Sequence, residues 1–190
     1  MIVAISGGIG AGKSEVARIL ERRGYLVIKT DEINRQLMMS QTYINSIKEV
    51  FPTAVDHRGI NREALRKLVF SDEALRRKLN SISHPAITKK IKDISHTDQI
   101  VFVEIPLLIE SGMCDYFDRI WYIDAPVINR INRIIKRDNE SLEIAKSIIS
   151  SQAQEEETLK YSNDVILNND SIESLERIVD GLLETLCKKK

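Results

Sequence analysis

The chain has 190 residues, 43% hydrophobic and 29% charged, and its 28 basic residues balance 28 acidic ones to a formal net charge of zero. These proportions belong to a folded chain long enough to bury a substantial core, and they exclude a disordered, collagen-like or disulfide-dense class. The longest apolar runs are broken by Glu104, Pro106 and Glu110, well short of a membrane span, which predicts no membrane partner.

Ile2–Ser6 reads as a short buried strand, and an apolar strand from residue 2 predicts a cytoplasmic protein without a leader. It runs into Gly7, Gly8, Ile9, Gly10, Ala11, Gly12, Lys13 and Ser14, which fit G-x-x-x-x-G-K-[ST], the phosphate-cradling P-loop. Glycines leave successive backbone N–H groups unobstructed, so that several can point at one anion. Lys13 adds a mobile charge for the outer phosphates, and the Ser14 hydroxyl is placed to ligate Mg²⁺. Glu15–Arg23 reads as a helix ended by Gly24, its start near Lys13 directing the positive dipole end at the same phosphates. Strand, loop and helix in this order predict a nucleoside triphosphate site.

Tyr25–Thr30 reads as a second strand, and Asp31 follows it, where a carboxylate can serve as catalytic base or orient a hydroxyl. Asp31 also precedes a helical stretch at Glu32–Leu37, a position suited to an N-cap. Residues 34–95 show no convincing strand and several helical pieces, with apolar spacing at Leu65, Leu68 and Val69 and again at Leu75, Leu79 and Ile82. This stretch carries twelve Lys/Arg against six Asp/Glu, which beside a phosphate site favours an anionic second substrate. A neutral overall balance without an aromatic-interleaved basic stripe argues against nucleic acid. The His84-Pro85 pair marks a helix restart, because proline biases the residue before it toward extended backbone. His57, His84 and His96 do not form a metal cluster.

Gln99–Glu104 and Arg119–Asp124 read as further strands, ending in Glu104, a candidate Mg²⁺ ligand, and in Asp124. Arg130, Arg133 and Arg137 follow at i, i+3 and i+7 and share one helix face, while Asp138–Ser141 reads as a break, giving a lid over 127–150. Cys114 and Cys187 fit no metal spacing and read as reduced thiols. Asp164–Asn168 is a fifth strand, and Lys188–Lys190 a frayed tail. Strands separated by helices predict an α/β fold with a parallel sheet, a helical substrate-binding insertion and a lid. The P-loop, Asp31, Glu104, Asp124 and Asn168-Asn169 are expected to meet at the carboxyl ends of the strands.

Together the P-loop, Asp31 with Arg35, Gly59-Ile-Asn-Arg62, His84-Pro85-x-Ile87, Pro106-Leu-Leu-x-Glu110 and Arg137-Asp138 resemble the dephospho-CoA kinase family along nearly the whole chain. The resemblance implies a single P-loop NTPase three-layer domain over 1–190, with the 34–95 segment binding the CoA portion. The implied reaction is ATP-dependent phosphorylation of the 3′-hydroxyl of dephospho-CoA, the last step of CoA synthesis. In that scheme Asp31 acts on the hydroxyl and Arg137 reaches the phosphates. Lys13 and Ser14 handle ATP and Mg²⁺, Glu104 keeps the metal-binding charge, and Asn168 approaches the adenine. Arg35, His84 and Pro106 belong with Asp31 to the acceptor site. Lys29, Glu104 and Asp170 depart from the family's usual residues at those positions.

A nucleoside or nucleoside monophosphate kinase would share the P-loop, the insertion and the arginine-bearing lid. A nucleotide-dependent switch would transfer nothing to a small acceptor, and the guanine-reading Asn-Lys-x-Asp is missing from the sequence. The sequence leaves the oligomeric state open, a monomer included.

Overall fold

The computed structural model describes residues 1–70, 72–95, 99–106, 108–150, 159–169 and 171–187. His96, Asp170 and the 188–190 tail lie outside the described residues. The chain divides into two compact units, residues 1–28 with 98–190, and residues 29–97.

The first unit is built on β1 (Ile2–Gly7), β2 (Leu26–Lys29), β5 (Val101–Glu104), β6 (Arg119–Asp124) and β7 (Asp164–Leu167), in the order β2-β5-β1-β6-β7. The β5–β1, β1–β6 and β6–β7 pairs are parallel. Parallel strands need crossovers, and helices supply them: α1 (Lys13–Arg22), α7 (Val127–Asp138) and α8 (Leu142–Ser150), with α9 (Ile172–Cys187) following β7. The short α6 (Leu108–Ser111) lies between β5 and β6. From β1 the chain crosses to β2, returns to β5, and then passes to the other side of β1 for β6 and β7. That reversal makes the carboxyl end of β1 a topological switch point, where open α/β sheets bind ligands.

On α1 the sequence alternates Val16, Ala17, Ile19 and Leu20, all buried, with exposed charged residues, so a single stripe meets the sheet. Gly24, at φ 84°, ends the helix, with the amide of Tyr25 returning to the carbonyl of Leu20 at 3.0 Å. The core combines α1 and the sheet residues Val3, Ile5, Phe102, Trp121 and Ile123 with Leu175, Val179 and Leu183 from α9. Phe102 is central: its ring lies 5.0 Å from Trp121 and 5.4 Å edge-on from Tyr25. Phe102→Ala is expected to destabilise the protein by about 3–5 kcal/mol in urea unfolding, because a fully buried ring leaves a cavity the sheet cannot close.

The second unit holds α2 (Thr30–Leu37), α3 (Gln41–Val50), α4 (Arg62–Phe70) and α5 (Glu73–Ile94), with the first three packed against α5. Tyr43 on α3 and Ser83 on α5 share a hydroxyl hydrogen bond of 2.8 Å, and burial pushes the Tyr43 phenol up. The Asp72 carboxylate caps α5 by accepting from the amide of Leu75 at 3.0 Å.

Two expectations for this stretch are corrected. It does contain strands: β3 (Val55–Asp56) and β4 (Gly59–Ile60) form an antiparallel hairpin, turned by Asp56 accepting from the Arg58 amide at 2.7 Å. Two-residue strands are too short to leave an alternating pattern. No helix restarts at His84-Pro85 either, for α5 runs unbroken across it with Pro85 inside. Proline removes one donor to the carbonyl of Ser81 and disfavours the helical state of His84. The buried Ile87 and Ile91, one turn apart on the same helix, offset that cost by packing.

Candidate active site

The P-loop leaves β1 at the switch point between β5 and β6. Its turn closes where the Ala11 amide donates to the Gly8 carbonyl at 3.1 Å. Gly12 then caps α1 in left-handed backbone at φ 109°, and a Cβ there would meet the Asn168 amide nitrogen. The Glu15 amide closes the first turn on the Gly12 carbonyl at 3.0 Å, so the start of α1, with its positive dipole end, lies directly after the loop, the arrangement that favours an anion. Lys13 extends back over the loop, its ammonium donating to the carbonyls of Gly7 at 2.7 Å and Gly8 at 3.0 Å. Gly12→Ala is expected to raise KM for ATP by about tenfold or more, since strain of 1–3 kcal/mol there distorts the cradle; nucleotide titration checks it.

Ser14 and Glu104 come together across ninety residues of sequence, the Ser14 hydroxyl donating to the Glu104 carboxylate at 2.8 Å. β5 is in register with β1, Ile5 opposite Glu104, so strand pairing delivers the carboxylate to the loop. The pair fits Mg²⁺: both donors are hard oxygens, and Mg²⁺ takes few protein ligands because it keeps waters and phosphate oxygens. Among the described residues no group of three or more His, Cys, Asp or Glu could hold a metal by itself.

β6 and β7 end on the same edge. Asp124 accepts from its neighbour Ala125 at 2.7 Å, and its carbonyl receives the Asn168 amide at 2.7 Å. Asn168 is buried, and its side chain donates to the Ala11 carbonyl at 2.7 Å. On α7, Arg130, only 3% exposed, donates from Nε to the Ile9 carbonyl at 3.0 Å. Arg133 donates to the carbonyls of Gly10 and Ala11, each at 3.1 Å, and to that of Asn168 at 3.2 Å. The i, i+3 spacing was the only sequence signal for these two. Periodicity gives the face they share and not the loop they hold. Arg137 is exposed and makes a two-pronged pair with Asp138, both contacts 2.7 Å, which holds the carboxyl of Asp138 below its usual range.

The remaining candidates outside this unit are Asp31, Arg35 and His84. Asp31 is not an N-cap: α2 already starts at Thr30, Lys29 occupies the cap position, and Asp31 sits exposed in the first turn, favoured there by the helix dipole. Arg35 is one turn further along α2, exposed as well. His84 lies half-buried on α5, and burial lowers its pKa toward the neutral imidazole. In the first unit, Pro106 follows β5 in the turn before α6.

A parallel α/β sheet with a glycine-rich phosphate loop at its switch point, a loop lysine and a serine–carboxylate pair is the architecture of a P-loop kinase. The solved structure of TT1252 from Thermus thermophilus superposes with a TM-score of 0.81 at 33% identity, over 98% of this chain and 97% of the other. A family model for dephospho-CoA kinase matches residues 1–174, and the chain belongs to that family. The dephospho-CoA kinase of Fusobacterium nucleatum is 34% identical over 190 residues, covering 98% of each chain. That of Campylobacter jejuni, a solved structure, has a TM-score of 0.69 at 26% identity over 99% of this chain and 98% of its own. The protein is thus a kinase, a phosphotransferase. No helix among the described residues is long and apolar enough to cross a membrane.

Proposed function

We propose that the protein transfers the γ-phosphoryl group of ATP to the 3′-hydroxyl of dephospho-CoA, giving CoA and ADP. The observation that carries this reading is the match to the dephospho-CoA kinase family along 1–174, supported by Lys13 folded over the P-loop and by Glu104, at the end of β5, paired with Ser14. Phosphoryl transfer asks the protein mainly to align reactants and stabilise charge on the moving group. Loop amides and Lys13 hold the β- and γ-phosphates, with Gly8, Ile9, Gly10, Ala11 and Gly12 supplying the backbone. Ser14 and Glu104 would hold Mg²⁺, which when bound neutralises charge between the phosphates. Asp31, in the first turn of α2, accepts the proton of the attacking hydroxyl or orients it. Arg137 exchanges its partner Asp138 for phosphate oxygens as the 127–150 lid engages ATP. The surplus of Lys and Arg over 34–95 suits the anionic acceptor, with Arg35, His84 and Pro106 as its contacts.

The test is ADP release from ATP and Mg²⁺ with dephospho-CoA, with nucleosides and nucleoside monophosphates, and without acceptor. Turnover confined to dephospho-CoA is expected. Turnover with a monophosphate, or none above background, would overturn the assignment.

A further inference from the structure

Three consecutive P-loop carbonyls, those of Ile9, Gly10 and Ala11, are each taken by a side-chain donor from outside the loop. Arg130 and Arg133 come from α7 and Asn168 from the end of β7, more than 120 residues away in sequence. In a trans peptide the carbonyl of one residue and the N–H of the next point in opposite directions. Fixing the carbonyls of Ile9 and Ala11 therefore turns the amides of Gly10 and Gly12 away from the arginines. The peptide between them is fixed at both ends, with the Gly10 carbonyl on Arg133 and the Ala11 amide on Gly8.

The fit is tight on the loop side too. A Cβ on Gly8 would meet the Arg130 guanidinium, and one on Gly10 would lie 2.8 Å from the Arg130 carbonyl oxygen. Ile9 meanwhile packs into the apolar cluster of Ile131, Ile134 and Ala145 that joins α7 to α8. The loop is held by its carbonyls, on α7 and the end of β7, and by its one apolar side chain larger than alanine, Ile9, in the α7–α8 cluster.

We infer that Arg133, seated beside Arg130 and Asn168, is a positioning residue for the reaction: its planar fork sets the Gly10–Ala11 and Ala11–Gly12 peptide planes, the first with its amide locked on the Gly8 carbonyl, so that the Gly12 amide is arranged for phosphate before ATP arrives. This rests on the reading that the loop binds the phosphates of ATP. A guanidinium is needed because one rigid group must reach three carbonyls at once, which an ammonium cannot do with the same geometry.

The test is calorimetric titration of the purified protein with ADP and with inorganic pyrophosphate, alongside kinetics with both substrates. Arg133→Lys and Arg133→Gln are expected to weaken both ligands by about tenfold or more, equivalent to losing roughly one charge-assisted hydrogen bond. KM for ATP rises while KM for dephospho-CoA stays within about twofold. Millimolar guanidinium is expected to restore pyrophosphate binding to Arg133→Ala. Asn168→Ala, which removes one neutral donor to Ala11, is expected to weaken pyrophosphate several-fold and carries the test if the arginine variants do not fold. Wild-type affinity in Arg133→Lys with loss only in Arg133→Gln would show that charge alone matters and overturn the proposal. So would weakened ADP with unchanged pyrophosphate, or unchanged affinity in Asn168→Ala. If the wild-type protein binds neither ligand, the P-loop reading itself fails, whereas wild-type binding with unaffected variants removes only the positioning role.

Discussion

Lys13→Ala is expected to lower kcat/KM for ATP by about 10²–10³, the usual cost of removing one preorganised donor from developing transition-state charge. The ammonium now donates to the carbonyls of Gly7 and Gly8 and is thus held over the loop through which phosphates are bound. Exchanging those two neutral acceptors for phosphate oxygens strengthens its bonds, because both partners are then charged. The fold is expected to survive: two part-buried hydrogen bonds contribute about 1 kcal/mol each, a shift of a few degrees in Tm. Steady-state kinetics with varied ATP, together with a melting curve, separates the two effects. A folded Lys13→Ala enzyme with normal kcat/KM would contradict the role given to this side chain.

Asp31→Asn is expected to reduce kcat by about 10²–10⁴ if the carboxylate takes the proton from the acceptor hydroxyl. Asparagine keeps the size and one acceptor oxygen, and Asp31 caps nothing, so the helix loses only a favourable charge in its first turn. That limits the stability change to about 0.3–1 kcal/mol. Single-turnover measurements with saturating dephospho-CoA isolate the chemical step. A drop of only a few-fold would reassign Asp31 from proton acceptor to hydroxyl-orienting group, and an unchanged kcat would remove it from the reaction.

What the sequence made legible follows from range. β1 opens on the apolar run Ile2, Val3, Ala4 and Ile5, and β6 carries Ile120, Trp121, Tyr122 and Ile123 between Arg119 and Asp124; both strands form where those runs lie. The P-loop is legible because glycine spacing and a lysine are local properties. The pairing of Ser14 with Glu104 was foreseeable in kind, since both end up beside strand termini of one parallel sheet, yet the order β2-β5-β1-β6-β7 had to be seen before β5 could be placed next to β1.

Long-range and very short features escaped. The β3–β4 hairpin spends only two residues on each strand, below any periodicity. Pro85 argues locally for a break, and only the packing of Ile87 and Ile91 overrides it. Arg130 and Arg133 were visible as a basic helix face, which in most helices is solvated. Their true partners are main-chain carbonyls, and a carbonyl carries no side-chain signature.

The central position of β1 also sets a timetable. Ile2 pairs with Val101 and Val3 with Arg119, so the strand that launches the P-loop finds its neighbours only after about a hundred intervening residues have been gathered in. Closing so long a segment costs entropy before any pairing rewards it, and such topologies assemble slowly. The loop acquires its brace only once α7 and β7 have joined as well. The nucleotide site is therefore an outcome of assembly and not a seed for it, and bound ATP slows the unfolding of the finished unit while leaving the rate of its formation untouched.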